Sequence, residues 1–329
     1  MKNFNEGKIR TDLVIESREM MPESDIEGIR YKTEENEEFG IKVTLVDVVN
    51  EEGAAAIGKP VGSYVTIESE AIKENDTLAH EEIAKILSQK LALLHKLHKD
   101  AVILVVGLGN RSVTPDALGP KVVSKILVTR HLGDALPTEL EGKVRRVSAV
   151  APGVMGQTGI ETREIVTGIV ERVKPDLVIA IDALAARRAN RINAAIQMSD
   201  TGINPGAGIG NKRKALNIET LGVPVIAIGV PTVVDAATLV NDTMDILLES
   251  MISETDSGTE FYTMLAELKE EEKYEIIKQV LDPYTKNMFV TPKEVDAVIE
   301  RLSAIIANAL NIGLHPGIDR SDLNRYLEG

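Results

Sequence analysis

The sequence predicts an α/β protein in which helices flank a mostly parallel sheet. Three short runs rich in valine and isoleucine carry this prediction: AVILVVG (101–107), DLVIAID (176–182) and VPVIAIGV (223–230). These runs are apolar on both faces, which is typical of parallel strands that helices cover on either side. Helical patterns at 119–131 and 160–173 lie between the runs, and RRVSAV (145–150) fits a fourth strand.

The region before these runs predicts a small β appendage and one long helix. GIKVTLVDVV (40–49) and SYVTIES (63–69) have strand character, and a glycine-rich connector separates them. The amphipathic pattern of 80–99 places Ile83, Ile86, Leu87, Leu91, Leu94 and Leu97 on one helix face. We therefore predict an N-terminal segment with the β appendage over 13–78 and an α/β catalytic core over 79–253.

The C-terminal third predicts helices joined by a polar linker. A helix pattern covers 236–251, and the residues at 254–261 are polar and turn-prone. Two more helix patterns follow at 262–281 and 292–310, so we predict a C-terminal helical region over 262–329.

Composition excludes several classes of protein. The 329 residues are 43% hydrophobic, enough for a large core, and 51 acidic against 37 basic residues give a net charge of -14. Nonspecific binding to the phosphates of a nucleic acid is not expected of a protein with that net negative charge. The absence of cysteine excludes thiol proteases, zinc ribbons, iron–sulfur ligation and disulfide scaffolds. No apolar run approaches ~18 residues, so we expect a soluble, cytoplasmic protein without a membrane partner.

Asp116 is the first candidate for chemistry. The first strand runs into GLGNRSVTPDALGPKVV (107–123), which places Asp116 on a loop before a helix at the mouth of the sheet. The structural alternative is that Asp116 caps the following helix or closes a turn after Pro115.

Asp182 is the second candidate. It ends the run LVIAID, so we expect its carboxylate at the carboxyl edge of a central strand, where ligands bind in open α/β sheets. The alternative is a helix cap whose charge Arg187 or Arg188 offsets.

Two carboxylates at one sheet edge suit hydrolysis. Like charges a few ångströms apart raise the pKa of one, which supplies a base and an acid for attack of water on an amide. The same pair could hold a divalent metal, but hydrolytic zinc usually adds histidine. We expect no metal, because the five histidines lack a member on the later strands: His80, His95, His98, His131 and His315.

A glycine-rich loop with three cations is the third feature. The loop at 204–210, with Gly208 and Gly210, runs into Lys212, Arg213 and Lys214, and such a loop suits a phosphate or an acidic side chain of a substrate. It lacks the spacing of a P-loop, and a solvated basic turn is the alternative. A phosphate- or nucleotide-binding module is thus a second class of function. A serine nucleophile lacks support, because the chain has no G-x-S-x-G motif.

Several motifs together resemble the germination protease family of spore-forming bacteria. The central motifs occur in order: VVGLGNRSVTPDALGPKVV, VSAVAPGVMGQTGIET, PDLVIAIDALAARR, SDTGINPGAGIGNKRKALN and LGVPVIAIGVPTVVDA. The resemblance extends outward through EEGAAAIGK, YVTIES and the C-terminal MFVTPKEVD, and so covers nearly the whole chain. The resemblance implies an endopeptidase that degrades small acid-soluble spore proteins during germination. It further implies a zymogen, a homotetramer in the spore core, and a fold similar to hydrogenase-maturation proteases.

The resemblance also assigns roles to residues. The family's two proposed catalytic aspartates fall on Asp116 and Asp182, and no cofactor is implied. An aspartate-dependent mechanism is our leading hypothesis, and a metal-dependent one like that of the hydrogenase-maturation enzymes is the nearest alternative. The substrates coat DNA, but nothing in this chain predicts direct binding of nucleic acid.

The N-terminus carries an imperfect copy of the family's substrate pattern. In Thr11-Asp12-Leu13-Val14-Ile15-Glu16 an acid precedes the expected cleavage point and a second acid follows four residues later. We therefore predict a propeptide over 1–12 and autoprocessing between Asp12 and Leu13. The alternative is an ordinary frayed terminus.

Overall fold

The computed structural model describes residues 11–19, 27–135, 140, 142–204, 214–254, 277, 279–280 and 288–318. Within these ranges the strands are β1 Ile29–Asn36, β2 Ile41–Val48, β3 Gly62–Glu68, β4 Val102–Gly107, β5 Arg146–Val150, β6 Leu177–Ala186, β7 Ala195–Ser199, β8 Val225–Asp235 and β9 Phe289–Val290. The helices are α1 Val14–Glu19, α2 Glu51–Ile57, α3 Thr77–Leu94, α4 Leu118–Val123, α5 Met155–Thr158, α6 Thr162–Val173, α7 Ile218–Leu221, α8 Ala236–Glu254 and α9 Val295–Leu314.

One mixed sheet organises the fold, with the strand order β1-β2-β3-β7-β8-β6-β4-β5 and β9 paired to β8. The neighbours β5, β4, β6 and β8 are parallel, and they contain the four runs that the sequence assigned to the sheet. The predicted α/β class with flanking helices is confirmed. The antiparallel part is larger than expected, because the predicted appendage continues the same sheet through the pairing of β3 with β7. The domain boundaries stay predictions.

Helices cover both faces of the parallel strands. Along β4, Ile103 and Val105 pack in the cluster that contains α3, α4 and α9, whereas Leu104 and Val106 pack with α6. This alternation follows from the two-residue period of a strand. By length and composition alone α9 could cross a membrane, but 61% of its apolar window is buried, and the core helix of a soluble protein passes the same test.

Two predicted elements have different limits in the structure. The helix predicted at 119–131 is only α4, Leu118–Val123, because the chain then turns to bond with α9. Asn311 accepts a hydrogen bond from the Leu127 amide at 2.9 Å, which an uninterrupted helix would not allow. The helix predicted at 262–281 falls mostly outside the described residues.

His315 and Arg145 close the C-terminal end of α9. Arg145 donates to the carbonyls of Gly313 and Leu314, at 3.2 and 3.0 Å, which satisfies acceptors that a helix end leaves free. The fully buried His315 ring bonds through Nε2 to the Leu127 carbonyl at 3.1 Å. Burial lowers the pKa of His315 to about 4, and the nearby Arg145 charge acts in the same direction.

Acid should therefore destabilise the fold through His315. The unfolded chain takes up this proton at its ordinary pKa, whereas the folded chain takes it up only near 4, so stability is lost as the pH falls from 6.5 through 4. We expect wild type to lose about 3 kcal/mol more than His315→Gln over this range, since Gln keeps a donor but does not titrate. Urea unfolding at a series of pH values measures the difference, and parallel curves would contradict the assignment.

Candidate active site

Strand β6 is longer than its neighbour β4, and this difference creates the candidate site. The pairing of the two strands ends at Gly107 opposite Ile181, and the amide of Leu108 donates to the Ile181 carbonyl at 2.7 Å. The chain then leaves the sheet as the loop that leads to Asp116. Because β6 continues to Ala186, its last residues have no partner from β4.

Asp182 lies one residue beyond the last pairing of β6 with β4, and its catalytic role stays a prediction. It does not end its own strand, which corrects the expectation, because β6 stays paired with β8 beyond it and Asp182 lies opposite Gly229. The residue is 4% exposed, and its Oδ1 accepts a hydrogen bond from the amide of Ala183 at 3.0 Å. The helix-cap alternative is wrong, because strand and not helix follows Asp182.

Asp116 ends a short 3-10 turn, Thr114–Asp116, at the same edge of the sheet. Its Oδ2 accepts from the amide of Asn110 at 2.8 Å, so the carboxylate closes the loop between these two residues. Ala117 and not Asp116 occupies the cap position of α4, and it makes no side-chain cap. The predicted alternative that Asp116 caps the following helix is therefore wrong. Asp116 does close a loop, because its side chain bonds to the backbone of Asn110.

The neighbouring strand β8 holds this turn in place. The pairing of β6 and β8 shifts between Leu184 and Ala185, which leaves Thr232 as an extra residue in β8. Such bulges re-aim a side chain. The Thr232 hydroxyl donates to the carbonyl of Pro115 at 2.8 Å, and the turn packs against both β6 and β8. The structure thus brings Asp116 and Asp182 to one edge of the sheet.

Gly109 permits the close return of the loop. Its φ of 110° is a value that residues other than glycine rarely adopt. A Cβ at this position would lie 2.0 Å from the carbonyl oxygen of Asp116 and 3.0 Å from Oδ1 of the same residue. Any larger residue must displace the turn that carries Asp116.

Substitution of Gly109 should therefore cost more than substitution of a glycine with positive φ in open space. Gly40 is the matched control, because its φ is 57° and a Cβ at this position would have no neighbouring atom within 4 Å. We expect Gly40→Ala to cost about 1 kcal/mol of unfolding free energy and Gly109→Ala about 2 kcal/mol more. Urea unfolding of both variants measures this, and equal losses would show that the loop does not return as closely as described.

The N-terminal segment occupies the rest of the same edge. The amide of Asp12 donates to the Ala185 carbonyl at 3.3 Å, and the Ala185 amide donates to Oδ2 of Asp12 at 2.9 Å. Lys59 donates to the carbonyl of Asp12 at 2.9 Å, and so does Gln197 at 3.2 Å. Burial raises the pKa of Asp12 and lowers that of Lys59.

Glu16 makes the second anchor of this segment. Its carboxylate is 1% exposed and accepts from the amides of Arg187 and Arg188, at 2.8 and 2.9 Å, and from the hydroxyl of Thr11. The Arg191 guanidinium lies 3.6 Å away. Over residues 11–19 the predicted alternative of a frayed terminus does not fit, because Leu13 and Val14 are fully buried, whereas residues 1–10 lie outside the described part.

The glycine-rich loop is largely outside the described residues. Gly208, Gly210, Lys212 and Arg213 belong to the undescribed part, and Lys214 is described through its amide, which donates to Oε1 of Glu161 at 3.2 Å. Their role in binding acidic side chains stays a prediction. Within the described ranges, no group of three or more histidine and carboxylate side chains is placed to hold a metal ion.

Sequence reasoning missed Lys59, Gln197 and Thr232. Lys59 follows a helix and Gln197 lies in a buried strand, and neither position carries a local signal. The sequence identifies Glu16 as the second acid of the cleavage pattern, but it does not predict the buried contacts of Glu16 with the end of β6.

Comparison with known proteins identifies the family. A family model described as germination protease matches residues 9–260 and 249–327. The germination protease of Caldanaerobacter subterraneus subsp. tengcongensis is 50% identical over 319 residues, which cover 97% of this chain and 98% of that protein. That of Bacillus subtilis strain 168 is 44% identical over 363 residues, with 98% of each chain covered.

Among solved structures, a nickel–iron hydrogenase maturation protease from Thermococcus kodakarensis KOD1 matches 64% of this chain and 92% of its own, with 18% identity and a TM-score of 0.31. The family assignment rests on the sequence matches, which extend over nearly the full length of both partners. This chain belongs to the germination protease family.

Proposed function

We propose that this protease of spore germination cleaves small acid-soluble spore proteins with Asp116 and Asp182 as its catalytic pair. One observation carries the proposal: two carboxylates lie at the single sheet edge where β4 ends, and a peptide segment of the chain lies along the same edge. Each aspartate accepts a hydrogen bond from a backbone amide, which orients its carboxylate before any substrate binds.

In the proposed reaction one aspartate is the general base and the other is the general acid. One ionised carboxylate takes a proton from water, and the resulting hydroxide adds to the carbonyl carbon of the peptide bond. The other, protonated carboxyl group gives its proton to the leaving nitrogen as the carbon–nitrogen bond breaks. A carboxylic acid and an amine result, and the two carboxyl groups exchange one proton overall. No metal takes part in this proposal.

Removal of either carboxyl group should abolish hydrolysis. We expect Asp116→Asn and Asp182→Asn each to reduce kcat at least about 1000-fold, because the amide keeps the volume but cannot accept or give the proton. Asp296→Asn, an exposed position at the start of α9, is the matched control and should retain wild-type kinetics.

The measurement is cleavage of a purified small acid-soluble spore protein, with folding checked by circular dichroism. Near-normal cleavage by either folded variant would rule out the pair. Loss of wild-type activity on addition of a chelator, restored by a divalent metal, would favour the metal-dependent alternative.

We further propose that the chain is a zymogen that cuts itself between Asp12 and Leu13. The bond lies in the segment that occupies the sheet edge, and Asp12 and Glu16 supply the two acids of the cleavage pattern. Residues 1–12 are then the propeptide. The homotetramer and the spore core as the location are proposed on the family resemblance.

Autoprocessing predicts one new N-terminus. After mild acidification of the purified full-length chain, N-terminal sequencing should give Leu-Val-Ile-Glu-Ser, and the mature enzyme should cleave substrate faster than its precursor. Asp182→Asn protein treated in parallel should keep its original N-terminus. A fully active wild-type protein that still begins at Met1 would disprove the zymogen proposal.

A further inference from the structure

The N-terminal segment of the chain covers the edge of β6 that β4 leaves unpaired beyond Ile181. Beyond Ile181 the strand has lost β4, and buried backbone groups there need other partners. The amide of Asp12 donates to the carbonyl of Ala185, and the Asp12 carboxylate accepts from the amide of Ala185. The Glu16 carboxylate accepts hydrogen bonds from the amides of Arg187 and Arg188. Peptides added to an exposed strand edge are held in a related way, through backbone bonds supplemented by side-chain pockets.

Two side chains from other parts of the fold hold the backbone of this segment. Lys59, which follows α2, donates to the carbonyls of Thr11 and Asp12 at 3.1 and 2.9 Å. Gln197 of β7 donates through Nε2 to the Asp12 carbonyl, and its Oε1 accepts from the amide of Val14 at 2.6 Å. The side-chain amide of Gln197 therefore bonds to the backbone on both sides of Leu13.

The apolar side chains between the two acids fill a small pocket. Leu13 and Ile15 are buried against Leu184 of β6 and Ile203. Burial of these side chains contributes affinity, and the amides of Ala185, Arg187 and Arg188 discriminate for carboxylates. The Lys59 charge attracts both acids, although its hydrogen bonds go to carbonyls. The contacts therefore favour a short peptide with two acids four residues apart and large apolar residues between them.

We propose that Lys59, Gln197 and the end of β6 form a recognition site for acidic peptides, which the chain's own Thr11–Ser17 occupies in the full-length protein. When this segment is displaced from the edge, a substrate segment with the same spacing of acids takes its place. This inference rests on the proposed endopeptidase function, because it assigns substrate recognition to the same sheet edge. It places that recognition on residues separate from the undescribed loop at 205–213.

A bound peptide in trans tests the proposal. In a full-length host carrying Asp12→Asn and Glu16→Gln, which weakens the internal segment, we measure fluorescence anisotropy of a labelled Thr-Asp-Leu-Val-Ile-Glu-Ser peptide. Its counterpart with Asn and Gln in place of the acids is the comparison. We expect the acidic peptide to bind at least about tenfold more tightly, because charge-assisted hydrogen bonds are lost in the neutral peptide.

Variants of the site locate the binding. Lys59→Met and Gln197→Glu in the host should each remove most of the preference for the acidic peptide. Lys85→Met is the matched control, because Lys85 lies on α3 and pairs with Glu82 on an exposed surface. A preference that survives both site variants, or that Lys85→Met also removes, would overturn the proposal.

Hydrogen–deuterium exchange of the host reports on the internal segment. The amides of Leu13 to Ser17 should exchange at least about tenfold faster than in wild type, since both carboxylates have been neutralised. Unchanged exchange would show that the acids do not hold the segment, and it would overturn the proposal. Faster exchange without peptide binding would overturn it as well, because the edge would then accept only its own covalently linked segment.

Mass spectrometry of the recovered peptide keeps the two proposals separate. Acid-dependent binding without hydrolysis by any form of the protein would count against the aspartate pair and leave the recognition site standing. Hydrolysis by the wild-type enzyme without acid-dependent binding at this edge would support the proposed function and exclude the recognition site.

Discussion

The difference in length between β6 and β4 is the constraint on which the site depends. The parallel pairing of β4 with β6 ends at Ile181. Over the next five residues of β6 only β8 remains as a paired neighbouring strand within the described part of the sheet. A strand buried in the sheet cannot leave its backbone groups unpaired without a large cost in free energy. The loop that carries Asp116 starts where this pairing ends, and the N-terminal segment occupies the part that remains.

A compact charge network fixes that segment to the sheet. Arg191 donates to Glu19 through both terminal nitrogens, at 2.7 and 2.5 Å, and to Glu68 of β3 at 2.7 Å. Burial opposes the charge of Arg191, but these bonds raise its pKa above the ordinary value, and they lower that of Glu19 although burial acts the other way. Loss of one partner would leave a buried charge uncompensated, so the network resists partial release of the segment.

The sequence was sufficient for features that depend on local patterns. The three apolar runs and RRVSAV predicted the four parallel strands, whereas the catalytic role of Asp182 stays a prediction. The length of β6 was not predictable, because ALAA is neither strongly strand-forming nor distinctive, and β8 decides its conformation. Lys59 and Gln197 were missed for a similar reason: Gln197 and Val14 are 183 residues apart, and no local propensity encodes such a contact.

The conformation of the chain at the proposed cleavage point protects the bond between Asp12 and Leu13 in the folded state. Leu13 is fully buried, and helix α1 begins at Val14, whereas a peptide bond under attack must be open to water on one side and to the proton donor at its nitrogen. The Asp12 carbonyl is held by Lys59 and Gln197, so movement of this bond requires two hydrogen bonds to break and apolar side chains to leave their pocket. The described arrangement and a cleavable one are therefore different conformations. Conditions that release the segment also expose the edge of β6, so the proposed processing of the chain would be coupled to access for other peptides.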